Sequence, residues 1–262
     1  MTDHESPLLQ LRGIEKRFGA VRALAGVDFD VHAGEVVALA GDNGAGKSTL
    51  VKVITGAGPA DAGSIAFDGR PVRVASPHDA AAFGVAAVYQ DLALCDNLDV
   101  VANLFLGREQ RRGGPRGPLD GIAMEQRART LLASLSIGGL DDVRRDVGTM
   151  SGGQRQSVAI TRALLGDARL VVLDEPTAAL GVVQTEQVLA LVRRLRDRGL
   201  GVVLVSHNLA DVFAVADRIA VLRLGRNAGV FPADPHRRSD VVAAITGVSG
   251  DLTPTPAGGD AR

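Results

Sequence analysis

The chain has 262 residues, 46% of them hydrophobic, and its 29 Lys and Arg almost balance 30 Asp and Glu. A formal net charge of −1 offers no global attraction to nucleic acid or an anionic membrane, and a single cysteine excludes a disulfide framework and a cysteine-built metal cluster. The length suits one α/β domain with a smaller inserted subdomain, its core drawn from Val, Leu, Ile and Ala because aromatic residues make up only 3%.

The opening residues, Met1-Thr2-Asp3-His4-Glu5, lack the basic start and apolar run of a signal peptide. No stretch reaches the roughly 18 apolar residues that span a bilayer, so work at a membrane would require another polypeptide as anchor. Cys95 reads as a small, reduced apolar side chain of a cytosolic protein. Residues 8–17 read as a first strand, and residues 27–31 alternate like a half-buried one. After the Ala33-Gly34 turn, residues 35–40 form an apolar, partly β-branched strand. Gly41, Asp42, Asn43, Gly44, Ala45, Gly46, Lys47, Ser48 and Thr49 then fit G-x-x-x-x-G-K-[ST], and apolar residues within 50–54 suit the inner face of a helix. Strand, loop and helix together favour a phosphate cradle over a chance Gly-rich turn. Glycines let successive N–H groups face phosphate oxygens at a helix N-terminus. Lys47 would reach the terminal phosphates, and the Ser48 hydroxyl would ligate magnesium.

Farther on, Asp68-Gly69 joins two short strands as a hairpin, giving a small antiparallel sheet beside the nucleotide site. Ser76-Pro77 starts a helix. Residues 85–89 form a buried strand ending at Gln90. From 91 to 148 the pattern turns helical and more polar, with a basic, Gly/Pro-punctuated run at 108–118 that reads as an exposed, solvated loop. A helix follows Ser151-Gly152-Gly153, then a strand at 170–173, a helix at 182–198, strands at 201–205 and 218–224, and a short helix at 239–246. Alternating strands and helices predict a parallel sheet with helices on its faces. Residues 248–262, rich in Pro, Gly and Thr, read as a disordered tail.

Three apolar strands end in polar groups where a parallel sheet places its ligand crevice. Asp174 would hold magnesium and Glu175 polarise an attacking water. His207 would hydrogen-bond the γ-phosphate or that water, and Gln90 would contact magnesium or water. Each has a bland counterpart: surface acids, a structural histidine, a solvated strand cap. Ser151, Gly152, Gly153 and Gln154 open a helix with bare N–H groups, a second anion-binding device or simply a Ser-capped start. One chain with one nucleotide does not need two such devices. A symmetric pair, each second device closing on its partner's nucleotide, resolves that.

These motifs, in this order from residue 8 to about 247, resemble the ATP-binding subunit of ATP-binding-cassette (ABC) transporters. The resemblance implies Phe18 stacking on adenine, residues 41–49 as Walker A, and Gln90 as the Q-loop. It implies Ser151–Gln154 as the signature, Asp174 as the Walker B acid, Glu175 as catalytic base and His207 as switch histidine. Residues 89–98, 103–109 and 176–181 resemble the carbohydrate-uptake branch. Two residues depart from the family pattern: Met150 stands where Leu is usual, and Gly181 where most members carry the D-loop Asp.

The implied fold is α/β: a P-loop NTPase core with a mixed, mostly parallel sheet, a small antiparallel β subdomain and an inserted α-helical subdomain at about 91–165. Residues 1–247 would form a single domain. The implied activity is ATP hydrolysis with Mg2+ in a homodimer or a heterodimer with a sister subunit. The pair would sit at the cytoplasmic face of the membrane, peripheral to permease subunits that drive solute, a sugar, inward with a sugar-binding protein. A groove at 91–106 would receive a short permease helix. No nucleic acid is implied. Two other readings are a dimerising regulatory module with little turnover and a soluble ABC ATPase. The first rests on Gly181 alone; the second usually brings tandem cassettes or long coiled coils.

Overall fold

A computed structural model describes residues 6–248 apart from 139 and 141; the expected tail, from 249 onward, lies outside the described residues. Strands β1 (Leu9–Phe18) and β2 (Val21–Val31) pair as an antiparallel hairpin whose buried Leu9 and Leu11, and Val27, Phe29 and Val31, recur with the two-residue period of a one-sided sheet, while a register shift between Leu11 and Ile14 keeps Ile14 buried after a three-residue step. β2 begins six residues before the stretch whose alternation signalled it. Its first residues lie at the exposed hairpin tip, Val21 being 65% exposed, and so carry no burial pattern.

β3 (Val36–Ala40) is wholly buried and runs through the Gly-rich loop into α1 (Lys47–Ile54). β4 (Ala62–Phe67) and β5 (Arg70–Val72) flank Asp68-Gly69 and complete a four-stranded antiparallel sheet, β2-β1-β4-β5. α2 (Pro77–Ala82) starts where Ser76-Pro77 predicts, the Ser76 hydroxyl accepting the Asp79 N–H at 3.2 Å.

β6 (Val85–Val88) leads to α3 (Val100–Phe105), α4 (Gly121–Ser134) and α5 (Gly152–Ala163). Val101, Leu104, Met124, Leu132, Val158 and Leu165 form a small core for these helices. Residues 91–99, expected as helical, are instead irregular. The fully buried Asn103 holds them: its Oδ1 accepts the Cys95 N–H at 2.7 Å, and its amide donates to the carbonyls of Cys95, Leu98 and Asp99 at 2.9–3.1 Å. A side chain thereby satisfies backbone groups that a helix would have paired. The basic run lies in an irregular exposed stretch between α3 and α4, where Arg112 pairs with Asp120 at 3.1 Å.

The rest of the chain supplies β7 (Leu170–Asp174), α6 (Val182–Asp197), β8 (Gly201–Val205), α7 (Leu209–Val215), β9 (Arg218–Arg223), β10 (Arg226–Pro232) and α8 (Arg238–Thr246). The six-stranded sheet runs β10-β9-β3-β8-β7-β6, parallel from β9 to β6 with β10 antiparallel at the edge. Its apolar strands feed both faces. Val37, Leu39, Val172, Val203 and Val205 join the core shared with α1 and the antiparallel sheet. Val36, Val171, Leu173, Val202 and Leu204 pack towards α5 and α6. Unbroken apolar runs are what a sheet covered on both sides requires.

Candidate active site

Strand order builds the site. β3, β8, β7 and β6 are neighbours in one parallel array, with Leu39 opposite Val205, Val205 opposite Asp174, and Leu173 opposite Val88. Their carboxyl ends therefore deliver the Gly-rich loop, His207, Asp174-Glu175 and Gln90 along one edge, the crevice of an open parallel sheet.

The loop itself is folded as a cradle. The Ala45 N–H donates to the Asp42 carbonyl at 3.1 Å and the Asn43 N–H to the Asp42 side chain at 2.7 Å. Lys47 curls back, its Nζ donating to the carbonyls of Gly41 at 2.7 Å and Asp42 at 3.0 Å. Those are bonds it can exchange for phosphate oxygens. The Ala45 carbonyl accepts the Gly225 N–H at 3.0 Å, fixing the cradle to the turn between β9 and β10. A cavity of about 550 Å³ opens there, walled by Arg22, Asn43, Lys47, Thr49, Leu224 and Gly225 among others. Phe18 is not among its walls: the residue is 53% exposed, pairs in register with the wall residue Val21, and has Lys16 Nζ 5.8 Å from its ring centroid.

Glu175 takes a left-handed backbone, φ 50°, while its N–H donates to the Val205 carbonyl at 2.9 Å. That turn carries its carboxylate to His207: Nδ1 and Oε2 are 2.8 Å apart, with the Glu side chain 17% and the His side chain 74% exposed. An accessible imidazole against a largely buried carboxylate suits water activation. Burial, with Glu175 alongside, raises the Asp174 carboxyl above its ordinary value, and Lys47 pulls it back. A half-buried pair of acids is the environment a bound cation relieves. Ser48, Asp174 and Gln90 offer the oxygen ligands that Mg2+ selects.

Gln90 is exposed just past β6, beside Tyr89, whose hydroxyl bonds Thr55 Oγ1 at 3.0 Å at the far end of α1. Ser151–Gln154 do not wall the cavity at the loop. They open α5 with a capping box, Ser151 Oγ accepting the Gln154 N–H at 3.4 Å and Gln154 Oε1 the Ser151 N–H at 3.1 Å. Both expectations for this segment are compatible with that geometry, since the cap leaves the glycine N–H groups at the helix start. A Cβ at Gly153 would stand 2.9 Å from Gln184 Cβ and 3.4 Å from its Cα, so this helix start needs glycine there to sit against the start of α6, whereas one at Gly152 would meet only the movable tip of Leu180. Sequence reasoning gave no individual role to Thr177, Tyr89 or Asp211, the first two falling within the stretches that resemble the carbohydrate-uptake branch. Asp211 leaves one faint trace, an acid inside the short apolar run of α7.

A sequence profile described as "ABC transporter" matches residues 24–178. The chain is similar to the "Fructose import ATP-binding protein FrcA" of Rhizobium meliloti, 46% identical over 93% of this chain and 95% of that one. It is also similar to the "Xylose/arabinose import ATP-binding protein XylG" of Sulfolobus acidocaldarius, 46% identical over 84% and 86%. Against the "Ribose import ATP-binding protein RbsA 2" of Burkholderia pseudomallei it is 44% identical over 94% of its own length but spans only 48% of that protein. Among solved structures it resembles a nucleotide-free ATP-binding cassette from an ABC transporter, with TM-score 0.79, 27% identity, and 91% and 96% of the two chains covered. It likewise resembles the ADP conformation of the cassette MJ1267, with TM-score 0.78, 28% identity, and coverage of 92% and 99%.

Proposed function

This chain belongs to the ABC transporter family, and from that premise we propose that it is the ATP-hydrolysing subunit of a sugar importer. It couples Mg-ATP binding and hydrolysis in a dimer to solute movement through permease subunits. The observation that carries the reading is the parallel register of β3, β8 and β7, which puts the phosphate loop beside the Glu175–His207 contact of 2.8 Å.

Hydrolysis follows from positioning and charge. Phe18 stacks on the base, and the N–H groups of residues 41–49 cradle the phosphates. Lys47 exchanges Gly41 and Asp42 carbonyls for phosphate oxygens. Glu175 accepts a proton from the attacking water, and His207 orients that water and stabilises the charge developing on the γ-phosphate. Ser48, Asp174 and Gln90 would hold Mg2+, which supplies charge neutralisation across the phosphates. Ser151–Gln154 serve the nucleotide of the second copy or sister subunit, closing the dimer on two ATP molecules. Hydrolysis then removes the bridge.

Among the described residues no helix is long and apolar enough to cross a membrane. The chain reaches the cytoplasmic face by docking to the permease. A groove of about 550 Å³ between the sheet and the helical segment fits a short permease helix, lined by Tyr89, Leu104, Leu106, Arg108, Arg162 and Ala163 among others. It draws only Leu104 and Leu106 from the 91–106 stretch expected to form it. Arg162 closes its floor by donating to the Leu92 and Ala93 carbonyls at 2.7 and 2.6 Å. Arg108→Glu is expected to cut transport at least tenfold in vesicles holding the permease and leave basal phosphate release within twofold. Parallel loss of both would argue against the docking assignment.

Gly181 caps α6 with extended φ −74° and ψ 167° and no side-chain bond, a geometry Asp accepts. A Cβ there would stand 2.6 Å from Gln184 Oε1, the mobile end of a side chain. Gly181→Asp is expected to raise the melting temperature by about 1 °C. It should also alter the Hill coefficient of ATP hydrolysis more than ATP affinity, and unchanged Hill behaviour would count against a role for this position between the two sites. The whole proposal is tested by phosphate release from the purified chain and by uptake of labelled fructose, xylose and ribose into cells lacking it. ATP-driven dimerisation without turnover would favour the regulatory reading instead.

A further inference from the structure

Asp211 is 7% exposed, the one charged side chain buried to that degree among the described residues, on a helix whose other residues are mostly apolar. Burying a carboxylate is costly unless a donor meets it. Here the donor is the Thr177 hydroxyl, 2.6 Å from Asp211 Oδ2. Thr177 sits in the middle of a contorted turn. Glu175 and Ala179, on either side of it, both have left-handed backbones, φ 50° and 59°, which non-glycine residues rarely adopt. The turn is tied down at its start by the Glu175 N–H on the Val205 carbonyl and closed by the Ala178 N–H on the Glu175 carbonyl at 3.1 Å. Asp211, for its part, lies in the first turn of α7, whose cap Asn208 directly follows His207.

Beyond the β7–β8 pairing and the Glu175 N–H bond to Val205, one side-chain hydrogen bond thus joins the turn after Glu175 to the helix after His207. We propose that Thr177 and Asp211 are positioning residues for ATP hydrolysis: their bond keeps Glu175 and His207 at the spacing at which both face the attacking water. The inference rests on the roles assigned to those two residues above. Neither Thr177 nor Asp211 walls the cavity at the phosphate loop, so the bond is expected to govern turnover and not affinity.

The test uses the full chain, with phosphate release for kcat and KM, a fluorescent ATP analogue for Kd, and thermal melting. Thr177→Val is expected to lower kcat about 10- to 100-fold while Kd stays within twofold, and Thr177→Ser, which keeps the hydroxyl, to restore most of kcat. Thr177→Val alone leaves a buried carboxylate unpaired, so the melting temperature falls by about 5 °C. Thr177→Val combined with Asp211→Leu removes both polar partners and is expected to recover the melting temperature but not kcat. If kcat returns with stability in the double variant, or Kd rises as kcat holds, the bond is structural only and the inference fails. Should Thr177→Val not fold, Asp211→Asn, which retains an acceptor for the Thr177 hydroxyl, is expected to keep kcat within threefold while Asp211→Leu, which removes it, lowers kcat about 10- to 100-fold with Kd unchanged. Equal turnover in the two overturns the inference. Glu175→Gln in the same assay separates the two levels: wild-type turnover there overturns the site assignment itself, whereas an inactive Glu175→Gln beside a fully active Thr177→Val overturns this inference alone.

Discussion

Phosphate release by Glu175→Gln is expected to fall about 100- to 1,000-fold, with ATP affinity within about twofold of the wild type. The substitution is close to isosteric and keeps an oxygen able to meet His207 across the 2.8 Å contact, so the left-handed turn at Glu175 and the geometry around it should persist. What disappears is the negative charge and the capacity to take a proton. His207, 74% exposed, keeps an oxygen partner but loses the anion that would offset the proton it took, so it does not replace Glu175 as base. Stalled hydrolysis should also leave ATP in place, so at saturating Mg-ATP the variant is expected to run at twice its monomer mass in size-exclusion chromatography with light scattering. A variant that binds the nucleotide yet stays monomeric would break the dimer reading. One that hydrolyses normally would remove Glu175 from the mechanism.

The strands that position the candidate site were legible in the sequence for a physical reason. The phosphate loop, Asp174-Glu175 and His207 each follow an apolar run, VVALA, LVVLD or GVVLV, of the length and composition of a strand covered on both faces. Each run ends abruptly in a polar group, so strand, edge and chemistry lie within a few residues of one another. The hairpin at Asp68-Gly69 and the helix start at Ser76-Pro77 were equally local, set by turn and capping chemistry.

What escaped depends on contacts between distant residues or on elements too small to show a period. α7 spans seven residues, fewer than a periodic pattern needs. β10 is a largely exposed edge strand carrying Gly229 and Pro232, residues that argue against a strand when seen in isolation. The irregular stretch 91–99 is held by side chains of other elements, the buried amide of Asn103 and the guanidinium of Arg162, and the sequence shows the first only as a polar residue inside an apolar helix. Thr177 and Asp211 are 34 positions apart, and only the adjacency of β7 and β8 brings their segments together.

The glycines of the phosphate loop should not be equally replaceable, although all three have positive φ. Gly46 has φ 106°, and a Cβ there would stand 2.8 Å from the Ala23 carbonyl oxygen and 2.9 Å from Leu24 Cδ2. The carbonyl is backbone of β2 and cannot swing aside. At Gly41, φ 151°, a Cβ would run into the Leu222 carbonyl of β9, again backbone. Gly44 has φ 78° and nothing within 4 Å of the Cβ position. Gly44→Ala thus meets only the left-handed backbone cost, about 1 kcal/mol. Gly46→Ala adds displacement of β2 or of the loop itself, for a total of about 2–4 kcal/mol. Every N–H of the cradle survives in both variants, so a difference between them reports loop position and not lost donors. Gly46→Ala is expected to lower affinity for a fluorescent ATP analogue more than about 100-fold, because a shift of an ångström misaims several charge-assisted bonds at once. Gly44→Ala should bind within about threefold of the wild type. If Gly44→Ala proves as damaging as Gly46→Ala, or Gly46→Ala binds normally, the close approach of the loop to β2 is not what positions the cradle.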